Sequence, residues 1–147
     1  MGGINHNPHV NSKLEDMVID VLQNDGGGQV EFTGRTAEDV VFMPAVGVTV
    51  RDFERLRAVG CVMVDTTCGS VLNVWKRVEG YARDGYAAII HGKHSHEETK
   101  ATASQVTKYP SGREHVVCNR EEAKRGGGSV ERGAETGARE GGDERGG

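Results

Sequence analysis

Long apolar runs, aromatic residues and a basic face are what this sequence has least of. No stretch approaches the roughly 20 apolar residues that a membrane helix needs. The first ten residues, MGGINHNPHV, have neither the basic start nor the apolar core of a secretory signal. A soluble chain with no visible targeting segment and no membrane partner is therefore expected. Only 5% of the residues are aromatic, and 22 acidic residues outnumber 18 basic ones for a net charge of -4. With no Lys/Arg run interleaved with aromatics, the chain lacks what neutralises phosphates along a nucleic acid, and no nucleic-acid partner is expected. Cysteine is also scarce. Cys61, Cys68 and Cys118 make an odd number without framework spacing, which points to reduced thiols rather than disulfides.

What is present divides unevenly. The 147 residues suffice for one domain, and 35% hydrophobic with 27% charged is a globular composition. The last 22 residues, GGGSVERGAETGAREGGDERGG, carry nine of the 22 glycines and no Leu, Ile or aromatic. Such a segment buries too little apolar surface to offset the entropy of ordering, so 126–147 reads as a disordered tail. The shorter knot at 24–29, NDGGGQ, reads as a surface turn.

Between residues 39 and 104, short apolar runs alternate with helical periods. VVFMPAV, bounded by Asp39 and Gly47, reads as a buried strand. Thr49 and Asp52 are spaced like a capping box, and Gly60 supplies the stop for a helix between them. CVMVD at 61–65 is short and continuously apolar, like a strand covered on both faces. Val71, Val74, Trp75, Val78 and Ala82 recur at helical spacing up to Gly85. Residues 86–90 read as a third strand, and HEETKATAS as the start of another helix. Strand–helix–strand–helix–strand with short connections predicts an α/β fold: a parallel sheet of βαβ units. Ligands of such sheets bind at the carboxyl ends of the strands. Those ends carry Val46-Gly47, Thr66-Thr67-Cys68 and His91 to Glu98, which are expected at one shared edge.

Two constellations follow. Cys68 comes after an apolar strand at the start of a helix, where the dipole and unpaired N–H groups favour a thiolate able to bind metal or attack an electrophile; the alternative is an inert small residue. The stretch HSHEE, with His94, His96 and Glu98, invites a zinc-hydrolase reading, but further ligands are needed and only His115 follows it. It also reads as a solvated helix start, with Glu97 and Glu98 near the positive end of the dipole. A third reading is an anion site, where imidazoles bind phosphate and a carboxylate passes a proton beside it. His6, in the turn NHNP, can join that site or be a plain surface turn residue.

Three motifs in series carry a resemblance: INHNPHVNSKLEDM (4–17), VDTTCGSVLNVWKRVE (64–79) and IIHGKHSHEETKATAS (89–104). In order and register they resemble 4-hydroxy-3-methylbut-2-enyl diphosphate reductase in its plant and cyanobacterial form. The resemblance implies a multi-lobed α/β iron-sulfur reductase. In it a 4Fe-4S cluster on three cysteines binds the substrate hydroxyl, and two electrons with protons remove that oxygen as water. It implies Cys68 as a cluster and metal ligand, His6 and His96 as diphosphate ligands, and Glu98 as the catalytic proton-relay residue. The implied partners are a small diphosphate substrate and an electron donor such as ferredoxin. The implied location is the plastid stroma in a plant or alga and the cytoplasm in a bacterium.

Departures from the family pattern shape the remaining expectations. The other two cluster cysteines belong to segments upstream of NHNP and beyond EETKATAS, so two of the three ligands are missing from this chain; Cys118 has the wrong surroundings to replace one. Val46 stands where bacterial members carry histidine, and plant-type members are also apolar there. Gly69-Ser70 replaces a proline and a bulky residue, which should loosen the helix start that orients Cys68. The resemblance fades after Tyr109. The expected organisation is part of a first α/β lobe at 1–67, the start of a second at 68–109, and a divergent segment with a disordered tail at 110–147. The chain is expected to be a fragment that is itself inactive, marginally stable, and exposing apolar sheet surface.

Overall fold

The computed structural model describes residues 8–17, 19–22 and 30–125. His6, the glycine turn at 24–29 and the tail at 126–147 lie outside them. In chain order the elements are α1 (Pro8–Asp16), β1 (Val40–Met43), α2 (Val50–Val59), β2 (Val62–Asp65), α3 (Gly69–Arg83), β3 (Ala87–His91), α4 (Glu97–Ser104), a 3-10 turn (Gln105–Lys108) and β4 (Arg113–Val117). A further helical turn begins at Arg120.

Local chemistry sets the boundaries. At the start of α2 the Thr49 hydroxyl accepts from the Asp52 N–H at 3.1 Å and donates to Asp52 Oδ2 at 2.7 Å. This satisfies one of the orphan donors of the first turn. Gly60 ends the helix in the left-handed region at φ 81, returning its N–H to Arg57 O. The α2 helix is the crossover that makes β1 and β2 parallel, in the register Val40↔Val62 to Met43↔Asp65.

The expected third strand does not join that sheet. β3 pairs in parallel with β4, from Ala87↔Arg113 to His91↔Val117, and α4 with the 3-10 turn provides the crossover. The fold is thus α/β with two separate two-stranded parallel sheets among the described residues. β4 escapes a search for apolar runs because Arg113, Glu114 and His115 leave only Val116 and Val117 as its apolar signal. The core joins Val78 and Ala82 of α3 to Ala88 of β3 and Val106, with Tyr109 packed against them. It is centred on α3 rather than on a continuous sheet.

The expectation that 61–65 is covered on both faces is not met. Val62 is 57% exposed, and Val40 and Phe42 beside it are 55% and 46% exposed. Because alternate residues share a face and Val40 is registered with Val62, these three form one open apolar face of the β1–β2 sheet. Apolar sheet surface is therefore exposed, as the motif departures led us to expect.

Candidate functional site

The loops after β1 and β2 are fastened together at the carboxyl ends of their strands. The Cys68 N–H donates to Ala45 O at 2.9 Å, the Thr67 N–H to Asp65 Oδ1 at 2.9 Å, and the Thr66 hydroxyl to Met43 O. Gly47 turns the first loop at φ 79, and a methyl group there would overlap the Trp75 ring. Glycine is required for both reasons: backbone conformation and close approach.

Cys68 is the N-cap of α3, with extended backbone at φ -61 and ψ 138, and it is exposed. The Ser70 N–H, the Ser70 hydroxyl and the Val71 N–H surround its sulfur. None closes a full capping hydrogen bond to the side chain. Their dipoles nonetheless hold the thiol pKa below its ordinary value, the Ser70 N–H acting most strongly. At this helix start α3 begins at Gly69, and Ser70 supplies two of the groups that stabilise the thiolate.

The second arm of the site comes from α4. His96 is its N-cap at φ -78 and ψ 132, an exposed residue, and Glu98 lies half-buried in the first turn. The negative charge of Glu98 acts on Cys68 and opposes its ionisation, so the two share one electrostatic neighbourhood. Two bonds hold the helices in this arrangement, and a third lies within α4. The Trp75 indole N–H donates to Thr102 Oγ1 at 3.1 Å. Ser104 Oγ accepts from the Val50 N–H at 3.0 Å, and its hydroxyl donates to Ala101 O at 2.7 Å. Between these elements a cavity of about 170 Å³ is lined by Met43, Phe53, Asp65, Trp75, Gln105 and Lys108 among others. Gln105 is buried, and its Oε1 has no hydrogen-bond partner among the described residues.

Thus Cys68, His96 and Glu98 fall on neighbouring helix starts, while His6 lies outside the described residues. His91 ends β3 and His115 lies within β4, registered with Ile89. The zinc-hydrolase grouping of His94, His96 and Glu98 is not what the turn produces. His94 precedes α4 in a turn and its Nε2 lies 3.5 Å from Glu122 Oε2. Among the described residues, the ligand atoms that gather within 4.8 Å of one another belong to His94, Cys118 and Glu122. Sequence reasoning missed this grouping. The available signal was the four-residue spacing of Cys118 and Glu122 across a helix start, where the Glu122 carboxylate reaches back to the Cys118 N–H.

The described residues do not fit a whole 4Fe-4S cluster, which needs cysteine thiolates in common reach. Cys61 is buried at the opposite end of β2 from Cys68, with its thiol directed to Leu56 O at 3.6 Å. The four residues of β2 alone span about 13 Å. Cys118 directs its thiol to Gly92 O at 3.1 Å. Cys68 is therefore the one thiolate offered at this edge among the described residues.

Comparison with known proteins follows the same lines. A family model described as LytB protein matches residues 1–133, which carries the likeness past Tyr109 and through β4. A 4-hydroxy-3-methylbut-2-enyl diphosphate reductase from Cyanothece is 43% identical over 104 residues, covering 71% of this chain and 26% of its own length. One from Acaryochloris marina is 42% identical over 119 residues, covering 81% and 28%. A chloroplastic form from Botryococcus braunii is 39% identical over 118 residues, covering 78% and 24%. The chain thus spans about a quarter of the length of these relatives. A solved structure of (E)-4-hydroxy-3-methyl-but-2-enyl diphosphate reductase, described as the terminal enzyme of the non-mevalonate pathway, superimposes with a TM-score of 0.67 at 25% identity, covering 83% of this chain and 40% of that one. The corresponding reductase from Plasmodium falciparum gives 0.68 at 21% identity, covering 82% and 35%, a likeness of fold.

Proposed function

The chain belongs to the LytB protein family, and on that footing we propose that it forms part of a reductase converting 4-hydroxy-3-methylbut-2-enyl diphosphate to isopentenyl and dimethylallyl diphosphate. The observation that carries the reading is the placement of Cys68 and Glu98 on adjacent helix starts, close enough that the charge of one acts on the other. A thiolate-stabilising helix start suits a metal ligand, and a half-buried carboxylate beside it suits a proton donor.

In this reading Cys68 would contribute one of three cysteine ligands to a 4Fe-4S cluster, which when bound would pass to the substrate, one at a time, the two electrons that the electron donor delivers. His96, at the N-cap of α4, binds the diphosphate, where the helix N-terminus also favours negative charge. His6 joins it from the NHNP motif. Glu98 holds the proton that leaves with the substrate hydroxyl as water. Ferredoxin is the proposed electron donor, and the plastid stroma or the bacterial cytoplasm the proposed location. Among the described residues no helix is long and apolar enough to cross a membrane.

Residues 1–67 are assigned to part of one α/β lobe and 68–109 to the start of a second. That β1 pairs with β2 and β3 with β4, with no strand pairing between the two sheets among the described residues, supports a boundary near Cys68. The segment 110–147, expected to diverge, is matched by the family model as far as residue 133, and β4 ties 113–117 back to β3. Because the described cysteines do not converge, the 147 residues alone are proposed to be inactive. The test replaces the matching quarter of a cyanobacterial reductase with this segment. Turnover in the chimera that falls with Glu98→Gln and shows a raised KM in His96→Ala supports the reading. Unchanged turnover and KM in both variants overturns it.

A further inference from the structure

Two segments remote in sequence bring three metal-binding side chains to one point away from Cys68. His94 comes from the turn between β3 and α4, Cys118 directly follows β4, and Glu122 sits in the helical turn after it. Their ligand atoms lie within 4.8 Å of one another. In a tetrahedral zinc site, metal–ligand bonds of about 2.0–2.3 Å place neighbouring donors about 3.5 Å apart. The imidazole and carboxylate already stand 3.5 Å apart, so modest side-chain movement closes the set.

The surroundings hold these donors in place. Glu122 Oε2 accepts from the Cys118 N–H at 2.8 Å, and Glu122 Oε1 accepts from Asn119 Nδ2 at 3.2 Å. Asn119 Oδ1 in turn accepts from the Glu122 N–H at 2.9 Å, which fixes the start of the helical turn. Cys118 Sγ lies against Gly92 O, in the same loop as His94. The reciprocal bonds around Glu122 form a capping box at the start of the helical turn, and they keep the Glu122 carboxylate turned toward Cys118. Imidazole, thiolate and carboxylate together make a borderline-soft donor set that suits zinc and disfavours magnesium or calcium.

We propose that His94, Cys118 and Glu122 bind one divalent zinc ion, with a water in the fourth position on the side where His94 is 61% exposed. On binding, the Cys118 thiol gives up its proton to solvent and the thiolate takes the metal; no redox change is involved. The ion fastens the end of β4 to the β3–α4 turn, two residues before His96. It acts as a structural clamp on the segment that carries His96 and Glu98. The inference does not rest on the reductase reading, because none of its three ligands takes part there.

The experiment uses the whole 147-residue chain. Zinc binding is measured by competition with a chromophoric chelator, and cobalt substitution reports the ligands by thiolate-to-metal charge transfer. One equivalent of zinc is expected, with the cobalt charge-transfer band lost in Cys118→Ser and kept in Cys68→Ser. Glu122→Gln and His94→Ala each remove a direct ligand, so each is expected to weaken zinc by more than the about 10–100-fold that loss of an outer partner costs. Glu122→Gln keeps the size of the side chain, so its effect is read on a folded chain verified by circular dichroism. Absence of stoichiometric binding overturns the proposal. So does binding that survives Cys118→Ser and Glu122→Gln, or a cobalt band that follows Cys68 instead.

Discussion

The indole N–H of Trp75 donates to the hydroxyl of Thr102 at 3.1 Å, and this bond ties the helix that starts at Cys68 to the helix that starts after His96. Two helix starts on different parts of the chain need such a tie, because among the described residues the strands that precede them pair in separate sheets. Thr102 is buried, so its hydroxyl depends on this partner.

Trp75→Phe removes the donor while keeping an aromatic ring. Leaving the Thr102 hydroxyl buried without it is expected to cost about 1–3 kcal/mol. Urea denaturation followed by circular dichroism measures the loss; an unchanged midpoint means the bond does not hold the helices.

Gly47→Ala introduces a side chain where φ is 79 and where the Trp75 ring occupies the space. The left-handed conformation alone costs about 1–2 kcal/mol, and displacement of the ring adds to it. A lowered melting temperature together with altered Cys68 alkylation is expected. A fall in neither contradicts the close packing of this loop on α3.

The thiol of Cys68 titrates below its ordinary value, through the Ser70 N–H and hydroxyl first and against the charge of Glu98. Its iodoacetamide reaction should therefore rise at lower pH than that of a free cysteine, since the thiolate is the nucleophile. Ser70→Ala should shift that profile to higher pH and Glu98→Gln to lower pH. The sign for stability follows from linkage. A group whose folded pKa is depressed stabilises the fold above its unfolded pKa, and that contribution is lost as pH falls through the folded value. Identical pH profiles in all three proteins would remove the electrostatic link between Cys68 and Glu98.

Val40, Phe42 and Val62 form an open apolar face on the β1–β2 sheet. Phe42→Thr with Val62→Thr keeps strand-forming residues and removes apolar area from water. Aggregation in light scattering should fall, while stability changes by no more than about 0.5 kcal/mol per site, as for other exposed positions. A large loss of stability would mean the face is buried in solution.

Much of the fold was legible because its signals are local. The cap at Thr49, the stop at Gly60 and the period of Val71, Trp75 and Val78 each act within one or two turns, and each stands where expected. Cys68 was legible as a helix start for the same reason. What could not be read depends on long-range pairing. Nothing local in Ala87–His91 says that it pairs with a charged strand rather than with β2. Burial failed similarly: a continuous apolar run such as 61–65 signals a covered strand, but which layer covers it is decided elsewhere. The grouping of His94 with Cys118 and Glu122 needed β4 to exist first, so the three histidines near residue 94 suggested a local zinc site instead.

The most direct measurement is the iron and acid-labile sulfide bound by the cyanobacterial chimera after anaerobic reconstitution, with and without Cys68→Ser. If Cys68 is a cluster ligand, the unsubstituted chimera holds close to four irons and four sulfides and turns over the diphosphate. Cys68→Ser should then lose both the cluster and the turnover. Equal iron, sulfide and turnover in the two proteins would contradict the role of Cys68 and, with it, the reductase reading of this edge.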